Sequence, residues 1–269
     1  MAISNNDYAF IDFETQGKDP KLNQPVSMAC VIIDGRRLKV KDNGVFYSLI
    51  NIIDDDSVEK YNLAPLEKAA LEKNGLTLDE IQKAPPLKSV WGSFKSFMAF
   101  HNPSRDKWKA PIFSGHNVPF DKQIYDRIAL GHLSGHMLPQ KLLGKTALKT
   151  MTEAEIARAY KELVTFKEPW KFGGENLVHP AKTIDTMQTA HVWFESLREP
   201  HRSSMDAIKE FLGFPSEGAH NALVDVLYTA EFFIRALKIQ RAVSLDTDFT
   251  THGQTFLEIE EILESYAPK

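Results

Sequence analysis

Two periods of hydrophobic and polar residues alternate along the chain, one near two residues and one near three and a half. Residues 8–14, YAFIDFE, are rich in aromatic and branched side chains and read as a strand. Gly17, Asp19 and Pro20 supply a turn, and VSMACVIID at 26–34 reads as a second strand. Asp34-Gly35 is a hairpin signal leading into RLKVKDNGVFYSLIN, where two further strands are expected around Asn43-Gly44. This opening has the pattern of a three-stranded antiparallel meander. The longer period then takes over. Helices are expected at 64–74, closed by Gly75, and at 77–84, where Thr77 and Glu80 have capping-box spacing. A third spans 88–100, with Val90, Trp91, Phe94, Phe97 and Met98 on one side.

PIFSG at 111–115 reads as a short strand, followed by a helix from about Asp121 to Leu130 with Pro119 just before or inside its first turn. AKTIDTMQTAHVWF at 181–194 starts as a strand and continues as a helix, and a helix around 204–212 ends at Gly213. The strongest helical pattern is 221–238, with Leu223, Val226, Leu227, Ala230, Phe233, Ile234 and Leu237 in one apolar stripe. A meander followed by alternating strands and helices implies an α/β fold with a mixed sheet and helices on its faces. Residues 131–182 carry scattered Gly and Pro, a Thr152–Glu155 capping box and the turn-like FGGEN at 172–176, and they read as an insertion. The expected organisation is one domain over 1–238 and a tail, 239–269, with one amphipathic helix near 255–265.

Composition narrows the function. The 269 residues carry a formal net charge of -4, which argues against a strongly basic nucleic-acid binder and leaves a local basic patch or bound metal ions to supply positive charge. The single cysteine, Cys30, forms no intrachain disulfide and excludes a cysteine-cluster zinc site. The N-terminal stretch lacks the pattern of a signal peptide, and no apolar run approaches the ~20 residues of a membrane span. A soluble, cytoplasmic protein with no membrane partner is the expectation.

Three acidic segments bear on chemistry. Asp12 and Glu14 lie two apart on the first strand and project from one face, bounded by apolar Phe10, Ile11 and Phe13. Such a pair suits a cation, because like charges raise each other's pKa; taken alone it equally suits a strand end with Asp12 capping a turn. In GHNVPFD, 115–121, Asp121 falls in a helix's first turn, where an acid also complements the helix dipole. In HNALVD, 220–225, His220 and Asp225 converge only if His220 stands on the loop before the helix, since five helical residues separate side chains by roughly 140°.

In chain order, D-x-E on an early strand, H-N-x-x-F-D opening a helix and H-x-A-x-x-D at a late helix resemble the motifs of the DEDDh (DnaQ-like) 3′→5′ exonucleases. That group includes the proofreading subunit of bacterial replicases, RNase T, oligoribonuclease and the TREX enzymes. NGLTLDEI at 74–81 and IDTMQTAH at 184–191 look like further family segments, so the resemblance covers roughly 1–130 and 181–237. It implies an RNase H-like mixed sheet flanked by helices and a metal-dependent hydrolase of phosphodiester bonds. By the same resemblance, Asp12, Glu14, Asp121 and Asp225 hold two divalent cations, Mg²⁺ or Mn²⁺, and His220 takes the proton of the attacking water. The implied partner is a nucleic acid with a 3′ end, single-stranded DNA first; an exoribonuclease or oligoribonuclease and a non-catalytic nucleic-acid-binding subunit are the alternatives. Thr15, Phe13, Asn117 and Phe120 are the candidate substrate contacts, the two rings as stacking platforms or as core aromatics. Gln16 stands where a second Thr is common in the family. The net basic character of 131–182 suits either an arm on the nucleic-acid backbone or a solvated helical excursion. A homodimer or a replication or repair partner is left open.

Overall fold

Strand β1 (Tyr8–Thr15) is flanked on both sides. It pairs antiparallel with β2 (Pro25–Ile33) and parallel with β4 (Ile112–Gly115). β3 (Val40–Leu49) extends the sheet antiparallel beyond β2, and β5 (Thr183–Asp185) extends it parallel beyond β4, giving the five-stranded order β3-β2-β1-β4-β5. The computed structural model describes residues 6–51, 68–130, 152, 170–174, 176–195, 202–213 and 221–246. The expected α/β class, a meander plus parallel strands with flanking helices, is the architecture observed.

The meander differs from expectation in one detail. VKDNGVFYSL is one strand, not two, because Asn43 alone takes a left-handed φ of 54° and the pairing with β2 slips between Val31 and Ile33. Reversing the chain in a two-residue type I′ turn needs positive φ at both central residues. One such residue produces a bulge, and the strand continues.

Alternation along β1 sorts its side chains. Ala9, Ile11 and Phe13 enter the main core with Met28, Cys30 and Ile32 of β2. Helix α3 (Leu87–His101) closes over them with Trp91, Phe94 and Met98, and α4 (Val118–Leu130) with Ile124, Tyr125 and Ile128. Each such side chain, fully buried, contributes about 1.5–3 kcal/mol of transfer free energy. Two short helices, α1 (Lys68–Lys73) and α2 (Leu78–Lys83), precede α3, and the capping box expected at α2 is formed in both directions between Thr77 and Glu80. Leu71 and Ile81 from these helices pack on Val26 of β2.

The end of the segment read as an insertion is part of this core. Trp170 and Val178 are buried in it, Phe172 and Gly173 donate backbone hydrogen bonds to Ile128 and Ala129, and the Trp91 and Tyr125 side chains bond the carbonyls of Gly173 and Gly174. Gly173 and Gly174 take φ of 70° and 122°, which bends the chain back across α4 and fits the turn expected there. Glu155 of the expected Thr152–Glu155 capping box, the rest of 131–169 apart from Thr152, and the helix near 255–265 lie outside the described residues.

Beyond β5, α5 (Thr186–Glu195), α6 (Met205–Leu212) and α7 (Ala222–Asp246) follow, near the bounds expected for the first two and longer for the third. Ala190, Phe194, Ile208 and Phe232 form a satellite core joining them. The apolar stripe of α7 is rotated from the expected one: Ala222, Val226, Thr229 and Ala230 are buried, whereas Leu227 is 40% exposed. The chain divides into two compact units, Met1–Phe232 and Phe233–Lys269, and the described part of the second continues α7. Among the described residues no helix is long and apolar enough to cross a membrane.

Candidate active site

Because Phe13 enters the core, Asp12 and Glu14 emerge on the other face of β1, both partly buried. Across the sheet Asp12 stands beside Ala29, and Ala29 beside Tyr47, so three neighbouring strands present these residues on one face.

The third carboxylate reaches the strand from a helix. β4 pairs with β1 only as far as Phe10–Ser114, so the backbone N–H of Phe13 lies beyond its partner strand. Asp121, in the first turn of α4 and 2% exposed, fills that role: its Oδ1 accepts from the Phe13 N–H at 3.0 Å. A buried backbone donor needs a partner, and here the partner is a carboxylate delivered between Asp12 and Glu14. The loop that delivers it is held from β5, where Asp185 Oδ1 accepts from the N–H groups of Asn117 and Met187, each at 3.0 Å. Asn117 itself has a left-handed φ of 62°, a conformation asparagine tolerates better than most residues. Thr186 donates to the Gly115 carbonyl at 3.0 Å and lies 3.1 Å from His116 Nδ1, and burial lowers the pKa of His116.

Asp225 comes from the first turn of α7. Asn221 caps that helix, its Oδ1 accepting from Leu223 N at 3.0 Å and Val224 N at 3.4 Å, while its carbonyl accepts from Asp225 N at 2.9 Å. Asn221 also acts on the Tyr47 hydroxyl of β3, lowering a pKa that burial and the charge of Glu14 raise. His220, directly before Asn221 in the sequence, lies outside the described residues.

The four carboxylates act on one another. Burial raises the pKa of Asp12 well above the ordinary range, and the charges of Asp121, Glu14 and Asp225 push it further while Lys209 opposes them. Burial and Asp225 raise Glu14 from 4.5 to about 7, against Lys73 and Lys209. Asp121 is raised well above its usual value, chiefly by burial, although the Phe13 N–H favours its charged form. A site whose charged form is this costly fits hard divalent cations, and an all-oxygen donor set suits Mg²⁺ or Mn²⁺. Among the described residues, no three Asp, Glu, His or Cys side chains stand close enough together to hold one metal ion.

Of the candidate substrate contacts, Thr15 is 7% exposed and its hydroxyl donates to the Gly17 carbonyl at 2.5 Å. Phe13 is 3% exposed in the core, so its ring is not placed to stack on a base; strand alternation turns it away from the face carrying Asp12. Phe120 packs partly buried against the same core, and Asn117 is exposed. Two residues near the acids were not singled out from the sequence: Tyr47, beside the Asp12 row, and Lys209, whose Nζ lies 2.5 Å from Asp225 Oδ1. The signal for Lys209 was legible, since it takes a position in the stripe Met205, Ile208, Lys209, Leu212 where an apolar residue is expected.

No family model and no characterised protein sequence matches the chain. Solved structures do. The nuclease domain of 3′hExo, described as a DEDDh family member and bound to rAMP, is similar at a TM-score of 0.52 and 14% identity, covering 87% of this chain and 93% of that one. E. coli Exonuclease I in complex with a dT13 oligonucleotide is similar at a TM-score of 0.53 and 16% identity, over 88% of this chain and 42% of that one. A full-length 3′-exonuclease is similar at 0.51 and 14%, over 89% of this chain, which spans only 63% of the length of that relative. At these identities the shared property is the fold.

Proposed function

We propose that this chain, which has the fold of the DEDDh 3′-exonucleases, is a metal-dependent 3′→5′ exonuclease that releases mononucleotides from nucleic-acid 3′ ends. The observation that supports the reading is the charge repulsion that Asp12, Glu14, Asp121 and Asp225, coming from β1, α4 and α7, exert on one another in a buried setting. A purely structural role for these acids is disfavoured, because burial and mutual repulsion make each addition costly.

In this reading the four carboxylates hold two divalent cations. Such ions, when bound, activate a water and neutralise charge on the leaving oxygen. The Phe13 N–H keeps the Asp121 carboxylate turned towards β1, and the Asn221 cap fixes the first turn that carries Asp225. His220 accepts the proton of the attacking water, histidine being the side chain suited to proton transfer near neutral pH. Water attacks phosphorus, the P–O3′ bond breaks, and the shortened strand leaves with its 3′ hydroxyl. Tyr47 and Lys73, which act electrically with Glu14, flank the acids on the β3 and α1 sides and suit contacts to the terminal nucleotide.

Single-stranded DNA is the first substrate to offer. RNA is the second, since structures of similar fold are described in complex with a DNA oligonucleotide and with rAMP. The test is end-labelled single- and double-stranded DNA and RNA, incubated with Mg²⁺, with Mn²⁺ and with chelator. The expected result is metal-dependent release of mononucleotides from 3′ ends. Absence of release from every substrate sinks the enzyme and favours a non-catalytic nucleic-acid-binding subunit.

A further inference from the structure

The most unusual group near the acids is a lysine. Lys209 is 4% exposed, a rare condition for this residue type unless it is paired. Its Nζ is 2.5 Å from Asp225 Oδ1, and its stem lies in the apolar stripe of α6. The Tyr228 ring, one turn beyond Asp225 on α7, stands 5.5 Å from the ammonium. Helix α6 is fixed in place: Ser204 caps its start, Gly213 in a left-handed conformation closes its end, and Ile208 is buried against α5 and α7. The caps and the packing of Ile208 thus fix the backbone that presents Lys209 to Asp225.

We propose that Lys209 is a built-in cation of the carboxylate centre, holding Asp225 while no metal is bound and competing with divalent cations for that carboxylate. The proposal rests on the metal-centre reading above. Its physical basis is the sign of the interactions. An ammonium on Asp225 partly neutralises the acids, whose charge it also feels at Asp12 and Glu14. The same positive charge repels a divalent ion brought to the same oxygens. Asp225 need not be organised by the lysine, because its backbone is already set by the Asn221 cap and the first turn of α7. Lys209 therefore lowers metal affinity while stabilising the metal-free fold, and it sets the metal concentration at which the centre fills.

The experiment compares the full chain with Lys209→Met, which keeps most of the stem and removes the charge, and Lys209→Gln, which keeps a polar end. Mn²⁺ binding is followed by calorimetry, and thermal unfolding is measured in chelator and in saturating Mn²⁺. The variants are expected to bind Mn²⁺ on the order of tenfold more tightly, which corresponds to about 1.4 kcal/mol. They should also melt at lower temperature than the parent in chelator, a deficit that Mn²⁺ closes. Equal or weaker Mn²⁺ binding by both variants overturns the role of Lys209 and leaves the metal centre standing. No Mn²⁺ binding by parent or variants refutes the metal centre and this proposal with it. A third measurement needs no folded uncharged variant: the lysine Cε NMR resonance that disappears in Lys209→Arg should shift when Mg²⁺ is added to the parent. A resonance that stays still overturns the competition.

Discussion

Consider Glu14→Gln in the metal-free protein. The substitution keeps the shape of the side chain and removes a carboxyl whose midpoint stands at about 7 in the folded state, against 4.5 for an ordinary glutamate. Below the unfolded value both states are protonated and the charge contributes nothing. As pH rises past 4.5 the unfolded chain releases this proton first, so the folded state falls behind. The deficit grows until pH passes about 7, after which it is constant. At about 1.4 kcal/mol per pH unit between the two midpoints, the full deficit is roughly 3 kcal/mol. In a chain of this size each kcal/mol moves the melting temperature by about 2–4 °C. Glu14→Gln in chelator should therefore melt several degrees above the parent at pH 8 and together with it at pH 4. The assay is thermal unfolding by circular dichroism across that pH range. Saturating Mn²⁺ should narrow or reverse the gap at pH 8, because the parent gains a ligand interaction that the amide supports poorly. A parent-to-variant difference that is flat from pH 4 to pH 8 would refute the electrostatic account of the site.

Other perturbations separate fold from chemistry. Asp121→Asn retains an oxygen for the Phe13 N–H and should remain folded while losing metal-dependent turnover in the end-labelled assay; Asp121→Ala strands that donor and should lose stability as well, by about 1–3 kcal/mol in denaturant titration. Arg127 is fully buried in α4, donates to the carbonyls of Pro20 and Asn23 in the turn after β1, and stacks 4.9 Å from the Trp170 ring. Arg127→Met should cost about 1–3 kcal/mol by urea unfolding, since one buried and one half-buried carbonyl lose their donor. Asn221→Ala removes the cap of α7 and should cost about 1 kcal/mol, with turnover falling further than stability because the first turn carries Asp225. His220→Ala should slow turnover at neutral pH and leave Mn²⁺ affinity nearly intact.

Much of the site was legible because its parts are local. Asp12 and Glu14 share a face through strand alternation, and that pattern also predicts Phe13 in the core, where it is found. The capping box at Thr77, the stop at Gly213 and the start of α7 follow from short-range hydrogen-bond chemistry, and all three are formed. What failed were readings that depend on a partner. Asn43-Gly44 resembled a hairpin turn until β2 was available to continue pairing on both sides of it. Trp170 to Val178 resembled an excursion until α3 and α4 supplied acceptors and a core for them. Leu227 looked buried by spacing alone, and the orientation of α7 leaves it exposed.

The sequence by itself determined which acids share a strand face, which lie in a helix's first turn, and in what order they come. These follow from alternation, helical period and capping, which act over a few residues. Only the tertiary structure decided that Asp121 closes on the Phe13 N–H from more than a hundred residues away, that Asp185 holds the loop delivering it, and that Lys209 stands on Asp225. Those contacts join α4 to one end of β1, β5 to the loop before α4, and α6 to α7, and no local period encodes them. They arise because β4 stops short of Phe13 and because Ile208 anchors α6 against its neighbours, so packing chooses the partners of the charges.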